Sequence, residues 1–371
     1  MIYFDNAATT FPKPQCVYDA INEGMQKFSF NAGRGSYKAA NETFKMIDET
    51  RKKIGDLVGC EKHKVIFTSS ATESLNNIIY GLNLCEGDNI YVSPFEHNAI
   101  IRTLVNCKAN IILIPFDKKT WEIDYNKLND MMVLKKPKAT IISHISNVTG
   151  FMLPYQKIFN ISKKYNSINV LDSAQGFGVY SVDKTNVDFI VFAGHKSLYA
   201  MFGIAGYINV NNTWLKCYKV GGTGSDSLNI DMPDVLPSRY EAGSMNSVGI
   251  YSIFSSIDFL KKAKFDIIKE ELSEYFIQKV SKIPNIKIFL PSNVKSHGIV
   301  SFAIEGYSSD DIGTILAEDY DTCVRTGYHC APFVHDFIDS KKYNGTIRVS
   351  FSGFNTKDEI DNLIDSLINF I

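Results

Sequence analysis

Residues 189–196, Phe-Ile-Val-Phe-Ala-Gly-His-Lys, join an apolar run rich in strand-forming residues to a small and polar end. Comparable apolar runs recur at 65–67, 89–92, 111–114, 139–142, 168–171 and 205–208. Most of these runs are continuous rather than alternating in polarity, which indicates strands that are buried on both faces.

Helical patterns separate several of these runs. Residues 72–84 place Leu75, Ile78 and Leu82 on one face, and residues 155–165 show the same periodicity. Strands that alternate with helices predict an α/β protein with a mainly parallel, doubly wound sheet.

The pattern changes after about residue 244. Longer helices are predicted at 248–262, 267–283, 309–320 and 356–371, with strands at 298–304 and 346–351. This C-terminal part is typical of a smaller α+β domain.

Composition restricts the class of protein. The chain has 371 residues, 45% of them hydrophobic and 21% charged, which is ordinary for a globular enzyme of one or two domains. A net charge of -1 without a basic or acidic block does not favour nucleic acid or an anionic membrane as a partner. No apolar run approaches the roughly 18 residues that span a bilayer, and no basic region with an apolar stretch opens the sequence, so we expect a cytoplasmic protein.

The cysteines are scattered and odd in number, and no CxxC pair occurs among them. This arrangement argues against a disulfide framework and against a zinc site, so no metal is predicted. A functional cysteine would act as a thiol. The seven positions are 16, 60, 85, 107, 217, 323 and 330.

Ligands of open α/β sheets gather where strands end and helices begin. The run at 65–67 is followed by small residues, 68–74, that open a predicted helix. The free N–H groups and dipole of such a helix start suit a phosphate. The alternative is an ordinary helix start capped by Ser70 or Thr72.

Three further strand ends carry reactive side chains, namely His97, Asp172 and Lys196. Each alone has an ordinary explanation: a structural histidine, a capping or solvated aspartate, and a surface lysine. Together they match the needs of pyridoxal 5'-phosphate (PLP), whose aldehyde requires an amine, whose ring nitrogen requires a carboxylate and whose phosphate requires N–H donors.

The sequence resembles a known family, the class V aminotransferases of PLP fold type I, and within them the NifS-like and Suf-type (group II) cysteine desulfurases. The likeness covers nearly the whole chain, and its motifs occur in the family's order. They are residues 3–10 (YFDNAATT), 67–74 (FTSSATES), 96–99 (EHNA), 146–150 (SNVTG), 172–175 (DSAQ), 194–196 (GHK), 240–244 (YEAGS), 325–331 (RTGYHCA) and 345–351 (GTIRVSF).

The resemblance implies a large PLP-binding domain, residues 15–244, with a mainly parallel seven-stranded sheet. Residues 1–14 and 245–371 would form the small α+β domain. Ser244 stands where the family usually has a Thr that reaches the cofactor phosphate of the neighbouring subunit, so a homodimer is implied.

The resemblance also assigns cofactor contacts. Lys196 would form the imine with PLP, and Asp172 would hold the ring nitrogen. His97 would stack over the ring. The remaining cofactor-binding residues would be Gln175 at the ring hydroxyl, Asn147 on the substrate side, and Ala71, Thr72 and His195, together with Ser244, at the phosphate.

The substrate side follows from the same resemblance. Arg348, with Asn31 and Arg325, would hold the substrate carboxylate, and Cys330 would accept the sulfur. The compact 325–331 stretch is similar to the Suf-type group. We expect neighbouring cations, His329 and Arg325, to favour the Cys330 thiolate.

Three positions depart from the family pattern. Ala193 replaces the Ser or Thr that usually precedes Gly-His-Lys, which removes a hydroxyl from the phosphate site. Tyr37 and Tyr328 stand where Suf-type enzymes commonly carry His. These tyrosines leave open how acid–base assistance and persulfide protection work in this chain.

The implied activity is desulfuration of L-cysteine to L-alanine, with a persulfide left on Cys330 and His97 as a proton donor or acceptor at the substrate thiol. Rivals on the same fold are a selenocysteine lyase, a C–S lyase that releases sulfide, and an aminotransferase. A rival of another class is a non-enzymatic scaffold descended from such an enzyme. A sulfur-acceptor protein is implied, and its pathway, whether iron–sulfur cluster assembly or tRNA thiolation, stays open.

Overall fold

A computed structural model describes residues 1–32, 35–224 and 228–370. The strands in these ranges are β1 (Ile2–Tyr3), β2 (Val65–Thr68), β3 (Asn89–Val92), β4 (Asn110–Leu113), β5 (Ala139–Ser143), β6 (Ile168–Asp172), β7 (Phe189–Ala193), β8 (Ala205–Asn209), β9 (Ile286–Ile288), β10 (Ile299–Ile304), β11 (Thr322–Cys323) and β12 (Ile347–Ser350). The helices are α1 (Gln15–Lys27), α2 (Lys38–Asp56), α3 (Ala71–Gly81), α4 (Asn98–Asn106), α5 (Tyr125–Leu134), α6 (Tyr155–Ser162), α7 (Ser247–Ala263), α8 (Phe265–Val280), α9 (Ser309–Tyr320), α10 (Val334–Phe337) and α11 (Lys357–Phe370).

The main sheet has seven strands in the order β2-β8-β7-β6-β5-β3-β4. Strand β8 pairs antiparallel with both β2 and β7, whereas the other neighbouring pairs are parallel. The predicted fold class, an α/β protein with a mainly parallel seven-stranded sheet, is confirmed.

The two edge strands of the main sheet differ in burial. Every residue of the central strands β5, β7 and β8 is buried, as the continuous apolar runs predict, and so is every residue of the edge strand β2. The opposite edge strand, β4, leaves Asn110 and Leu113 exposed. A continuous apolar run therefore does not show whether a strand is covered on both faces.

The direction of the strands positions the site. Strands β2, β3, β5, β6 and β7 all run the same way, so their carboxyl ends open on one edge of the sheet. The polar residues that follow these strands in the sequence are thus brought together at that edge.

A second sheet lies in the C-terminal part, with the order β12-β10-β9 and antiparallel pairing throughout. Residues of α8, α9 and α11 pack with these strands in one apolar core that includes Phe276, Phe302 and Leu363. Strand β1 pairs with β11, which attaches the start of the chain to this region.

The predicted domain limits, 15–244 against 1–14 and 245–371, stay a prediction. The pairing of β1 with β11 agrees with placing the first residues in the small unit. Helix α7, however, packs Ile250, Ile253 and Ile257 in the same core as Ile190 of β7.

Several helices end earlier than their periodicity predicts. Helix α3 ends at Gly81 rather than at residue 84. Two residues after this end, Asn83 takes a positive φ of 49°. Apolar periodicity continues past Asn83, so it does not reveal this end. The break predicted between the helices at 248–262 and 267–283 is confirmed, because Lys264, with φ 48°, separates α7 from α8.

No helix in the three described ranges is both long enough and apolar enough to cross a membrane. All seven cysteines are free thiols.

Candidate active site

A small cavity of about 50 Å³ opens at the carboxyl ends of the parallel strands. Ligands of open α/β sheets bind at this edge. Most of the sequence-predicted cofactor residues line it together. The lining residues are Ala71, Thr72, Leu75, His97, Ala99, Ser143, Ile145, Asn147, Asp172, Ala174, Gln175 and Lys196.

The start of α3 forms one wall of this cavity. Ser70 caps the helix, because its side chain accepts a hydrogen bond of 3.1 Å from Glu73 N. Glu73 in turn accepts hydrogen bonds from Ser69 N and Oγ. Ser70 therefore performs the capping role, while Ala71 and Thr72, whose N–H groups lie in the first helical turn, face the cavity.

Asp172 ends β6 inside the cavity. Its Oδ1 accepts a 3.1 Å hydrogen bond from Ala174 N, and its side chain is 8% exposed. Burial raises the pKa of this carboxyl, while the hydrogen bond from Ala174 and the charge of Lys196 lower it. A cation held against Asp172 in the cavity would thus be strongly favoured.

Lys196 lies on the turn after β7. Burial lowers the pKa of its amine, and the charges of Arg348 and Arg325 lower it further, whereas Asp172 and Cys330 raise it. The net direction is downward, which favours the neutral and nucleophilic amine. Gly194 is required before it, because a Cβ there would lie 2.5 Å from Ile204 O.

The N-terminal segment holds the turn that carries Lys196. The carbonyl of His195 accepts hydrogen bonds from Thr10 N at 3.1 Å, Thr10 Oγ1 at 3.2 Å, Thr9 Oγ1 at 3.1 Å and Lys13 Nζ at 3.0 Å. Thr10 Oγ1 also donates to Lys196 O at 3.3 Å. Sequence reasoning gave these N-terminal residues no role, although Thr9 and Thr10 lie in a family motif.

His97 caps α4 and lines the cavity. Its Nδ1 accepts a 3.0 Å hydrogen bond from Ala99 N, so the ring proton is on Nε2. Burial, followed by the charges of Lys196, Arg325, Arg102 and Arg348, lowers the pKa of His97 to about 4. The imidazole is therefore neutral near pH 7 and has one N–H to donate.

Asn147 and Gln175 use their amide nitrogens within the protein. Asn147 Nδ2 donates to His329 O at 2.8 Å, and Gln175 Nε2 donates to Ala7 O at 2.8 Å. These bonds fix both side chains at the cavity wall.

Arg348 is buried beside the cavity at 2% exposure. Its Nη2 donates to Asp5 Oδ1 at 2.6 Å, and its Nη1 donates to Asn147 O at 2.8 Å, which leaves Nε without a hydrogen-bond partner. Arg325 pairs with Arg348 through both backbone hydrogen bonds and reaches Asp5 Oδ2 at 3.9 Å. Asp5 is a second residue that sequence reasoning missed.

Cys330 is exposed on a tight turn next to the cavity rather than in its lining. His329 and Cys330 both have positive φ, 45° and 55°, and Cys330 O accepts a 2.7 Å hydrogen bond from Asn98 N. The charge of Cys330 raises the pKa of both Lys196 and Arg348. The thiol is thus close to the Lys196 amine and to the Arg348 guanidinium.

The expectation that His329 supplies a positive charge to Cys330 is wrong. The His329 ring is buried, its Nε2 bonds Thr346, and burial lowers its pKa well below the usual value. A neutral imidazole cannot stabilise a thiolate by charge. The sequence shows only that the two residues are adjacent, not that one of them is buried.

Comparisons with known proteins identify the family of this chain. The family model described as aminotransferase class V matches residues 2–363. The chain is 30% identical to a probable cysteine desulfurase of Vibrio cholerae, covering 99% of this chain and 93% of that protein. It is also 30% identical to a cysteine desulfurase of Wigglesworthia glossinidia brevipalpis, covering 99% and 92%.

The chain belongs to the class V aminotransferase family. The solved apo structure of a cysteine desulfurase from Thermococcus onnurineus superposes with a TM-score of 0.89 at 25% identity, covering 100% of this chain and 94% of that one. Dependence on PLP is general in this family.

The residues present fit PLP. Asp172 is a buried carboxylate that suits a protonated ring nitrogen, and Lys196 is a buried amine in the same cavity. His195 Nδ1 is buried without a hydrogen-bond partner, and the first turn of α3 offers N–H groups to a phosphate. The ring of His195 stacks on Phe202 at 4.5 Å.

Two assigned residues lie elsewhere. Asn31 and Ser244 are exposed and line a different surface cavity, together with Arg51 and Glu241. Glu241 accepts two hydrogen bonds from Arg51 and one from Phe67 N, which attaches the Ser244 loop to β2. Within one chain, therefore, neither residue joins Lys196.

The structure also describes the three residues that differ from the family pattern. Ala193 is buried at the end of β7, opposite Ala205. Tyr37 and Tyr328 are about half exposed, and the Tyr328 hydroxyl donates to Asn344 Oδ1 at 3.3 Å.

Proposed function

We propose that this chain is a PLP-dependent cysteine desulfurase that converts L-cysteine to L-alanine and keeps the sulfur on Cys330 as a persulfide. One observation carries the proposal: a single cavity gathers Lys196, Asp172, His97 and the start of α3, with an exposed thiol at its side. The family relationship supports the same conclusion.

The proposed cofactor contacts follow the cavity. Lys196 would hold PLP covalently, Asp172 its ring nitrogen, and Gln175 its ring hydroxyl, with His97 over the ring. Ala71, Thr72 and His195 would bind its phosphate. Bound PLP supplies an electron sink that weakens the bonds at the substrate's Cα and Cβ.

The chain's own residues handle protons and charge. Lys196, kept toward its neutral form by burial, is suited to take the proton from the substrate's Cα. His97 lines the same cavity as Lys196, and its Nε2–H is suited to donate a hydrogen bond to the substrate thiol. Arg348, with Arg325, would hold the substrate carboxylate.

Sulfur transfer uses Cys330. Its thiolate would form a bond to the substrate sulfur while the substrate's Cβ–S bond breaks and Cβ gains a proton. The net reaction, thiol plus L-cysteine to persulfide plus L-alanine, balances without an external oxidant or reductant. The persulfide sulfur would then pass to an acceptor protein.

Assembly completes the proposed site. Ser244 lies away from the cavity of its own chain, so it would reach the phosphate of a partner subunit in a homodimer. Asn31 lines the same surface as Ser244, so its proposed contact with substrate would also be made across the dimer.

The test uses purified protein loaded with PLP and given L-cysteine, with alanine measured and Cys330 analysed by mass spectrometry. We expect alanine and a mass gain of one sulfur on Cys330. Cys330→Ala should bind PLP normally but make alanine at least about a hundredfold more slowly, because no nucleophile attacks the substrate sulfur. Cys85→Ala, which removes another exposed thiol, is the matched control and should behave as wild type.

The rivals give different outcomes. Undiminished alanine formation from L-cysteine by Cys330→Ala would contradict Cys330 as the sulfur acceptor. Release of sulfide with pyruvate and ammonia would favour a C–S lyase, and turnover of selenocysteine alone would favour a selenocysteine lyase. Formation of 3-mercaptopyruvate, a 2-oxo acid that keeps the sulfur, would favour an aminotransferase. Absence of a visible absorbance band after PLP addition would favour a non-enzymatic scaffold.

A further inference from the structure

Glu96 is a carboxylate to which the proposed reaction assigns no role. It lies between Ser93, at the end of β3, and His97, the cap of α4, and its side chain is completely buried. In the described part of the chain no cation forms an ion pair with it. A buried and unpaired carboxylate is costly, so its presence calls for a compensating contact.

Hydrogen bonds supply that compensation. Glu96 Oε1 accepts from Ser93 Oγ at 2.5 Å and from Ser143 N at 3.0 Å, and Oε2 accepts from Ser143 Oγ at 2.7 Å. Burial raises the pKa of Glu96 to about 7, with a further contribution from the charge of Asp172. Both donor groups of Ser143 are thus committed to one side chain.

These bonds join two walls of the cavity. Ser143 ends β5 directly opposite Asp172 on β6, and both residues line the cavity. Glu96 is covalently next to His97, which lines the cavity from α4. One carboxylate therefore links the loop that carries His97 to the strand pair that carries Asp172.

We propose that Glu96 is a positioning residue that fixes the distance between His97 and Asp172, and with it the width of the cofactor slot. The inference rests on the proposed PLP-dependent function. Glu96 itself lies outside the cavity lining and contacts neither cofactor nor substrate. Its effect is exerted through Ser143 and through the chain connection to His97.

Geometry and charge can be separated by substitution. In Glu96→Gln the amide oxygen can still accept from Ser93 Oγ and Ser143 N, while the amide nitrogen donates to Ser143 Oγ. The bridge is kept and the negative charge is lost. In Glu96→Met the volume is similar but the bridge is gone.

The experiment compares the holoenzymes of both variants with wild type. Glu96→Met should lower kcat about tenfold to a hundredfold, because small displacements of positioned groups cost this much. It should also shift the visible absorbance maximum of the bound cofactor and weaken PLP binding. KM for L-cysteine should change less than about twofold, because no bond of Arg348 involves Glu96. Glu96→Gln should restore kcat and spectrum to near wild type.

Thr140→Val is the matched control for lost stability. Thr140 is buried on the same strand, β5, and shares a 2.9 Å hydrogen bond with Ser167 away from the cavity. This variant should lower the free energy of unfolding with an unchanged spectrum and kcat. Should Glu96→Met not fold, Ser93→Ala removes one bond to Glu96 and should give a severalfold loss of kcat with the same spectral shift.

The inference is overturned if folded Glu96→Met, or Ser93→Ala in its place, keeps the wild-type kcat and spectrum, as Thr140→Val should. It is also overturned if Glu96→Gln is as impaired as Glu96→Met, which would assign the effect to charge. Failure of wild type to bind PLP or to form alanine would instead refute the proposed function.

Discussion

The groups around Lys196 shift the pKa of its amine in opposite directions, and the balance sets its reactivity. Burial and the charges of two arginines, Arg348 and Arg325, favour the neutral amine, whereas Asp172 and Cys330 favour the ammonium form. Binding of a substrate carboxylate at the arginines would reduce their charge effect on Lys196. The lysine would then become a stronger base when substrate arrives.

Asp172→Ala tests the cavity at the scale of one residue. Because only the carboxylate can keep a ring nitrogen protonated here, we expect a folded protein whose turnover per bound PLP falls roughly a hundredfold or more. Asp188→Asn is the control, since Asp188 is equally buried but pairs with Lys163 far from the cavity. Alanine formation per bound PLP and thermal unfolding should be measured for both. Near-normal turnover in Asp172→Ala would contradict its role.

The residues that follow strands were predictable because strand direction and hydrophobicity place them at one edge. Lys196, Asp172 and His97 belong to this group. Asp5 and Lys13 were not predictable from the pattern, because their contacts with Arg348 and His195 depend on how the chain's start packs against distant segments. Burial of His329 was likewise invisible in the sequence.

At the scale of elements, the N-terminal segment acts as a clamp on the turn after β7. Thr10 is 4% exposed, and its hydroxyl donates to the carbonyls of both His195 and Lys196. Lys13 is half-buried, and its Nζ donates a hydrogen bond to the His195 carbonyl. Burial lowers the pKa of Lys13 to about 7. The clamp joins the β1 region to the residue that would hold the cofactor.

Thr10→Val tests the clamp. It keeps the shape of the side chain but removes the hydroxyl, which donates to His195 O and Lys196 O and accepts from Lys13 Nζ. We therefore expect kcat to fall about tenfold while KM for L-cysteine stays within about twofold. Thr43→Val is the control, because the buried Thr43 hydroxyl bonds only Ala39 O within α2. Steady-state kinetics of both variants at equal PLP loading gives the comparison. An equal loss in both variants would show general destabilisation instead of a clamp.

Elements were predicted where periodicity is strong, and their ends were not. All seven runs became strands of the main sheet, and the helix at Ser309–Tyr320 matched its prediction. The break at Lys264 lies between the two helices predicted at 248–262 and 267–283. The end of α3 at Gly81, two residues before the left-handed Asn83, was not predicted, because the apolar pattern does not encode that conformation.

At the scale of the whole molecule, buried histidines link stability to pH. Burial lowers the pKa of His97, His144 and His195 to about 4, and that of His329 well below its usual value. An unfolded histidine binds its proton near pH 6.5, so the unfolded chain gains protons first. Stability contributed by these four groups is therefore lost as pH falls below about 6.5.

Two acids act in the opposite direction. The pKa of Glu96 is raised to about 7 and that of Asp172 is raised, so their contribution is lost as pH rises above their unfolded values. Burial also lowers the pKa of His297 and His335, so six histidines outnumber two acids. We expect the free energy of unfolding of the cofactor-free protein to fall by on the order of 1–3 kcal/mol from pH 7.0 to 5.5. Urea titrations at both values measure it. His144→Gln should reduce this change, whereas His63→Gln, at an exposed position, should not. A flat profile would contradict the assignment.

Assembly is the last property of the whole molecule, and Ser244 makes it testable. Ser244 and Lys196 face different cavities of one chain, so the proposed site needs Ser244 from one subunit and Lys196 from the other.

Ser244→Asp should weaken PLP retention by charge repulsion, and Lys196→Ala should be inactive. Subunits carrying these two changes, coexpressed and mixed at random, would form heterodimers with one intact site and one doubly altered site. We expect about a quarter of wild-type activity in the mixture, because half of the dimers then carry one intact site of two. Light scattering establishes the dimer, and alanine formation measures the activity. If Ser244 served its own chain instead, no intact site would arise on mixing, and the mixture would stay as inactive as the average of its parents.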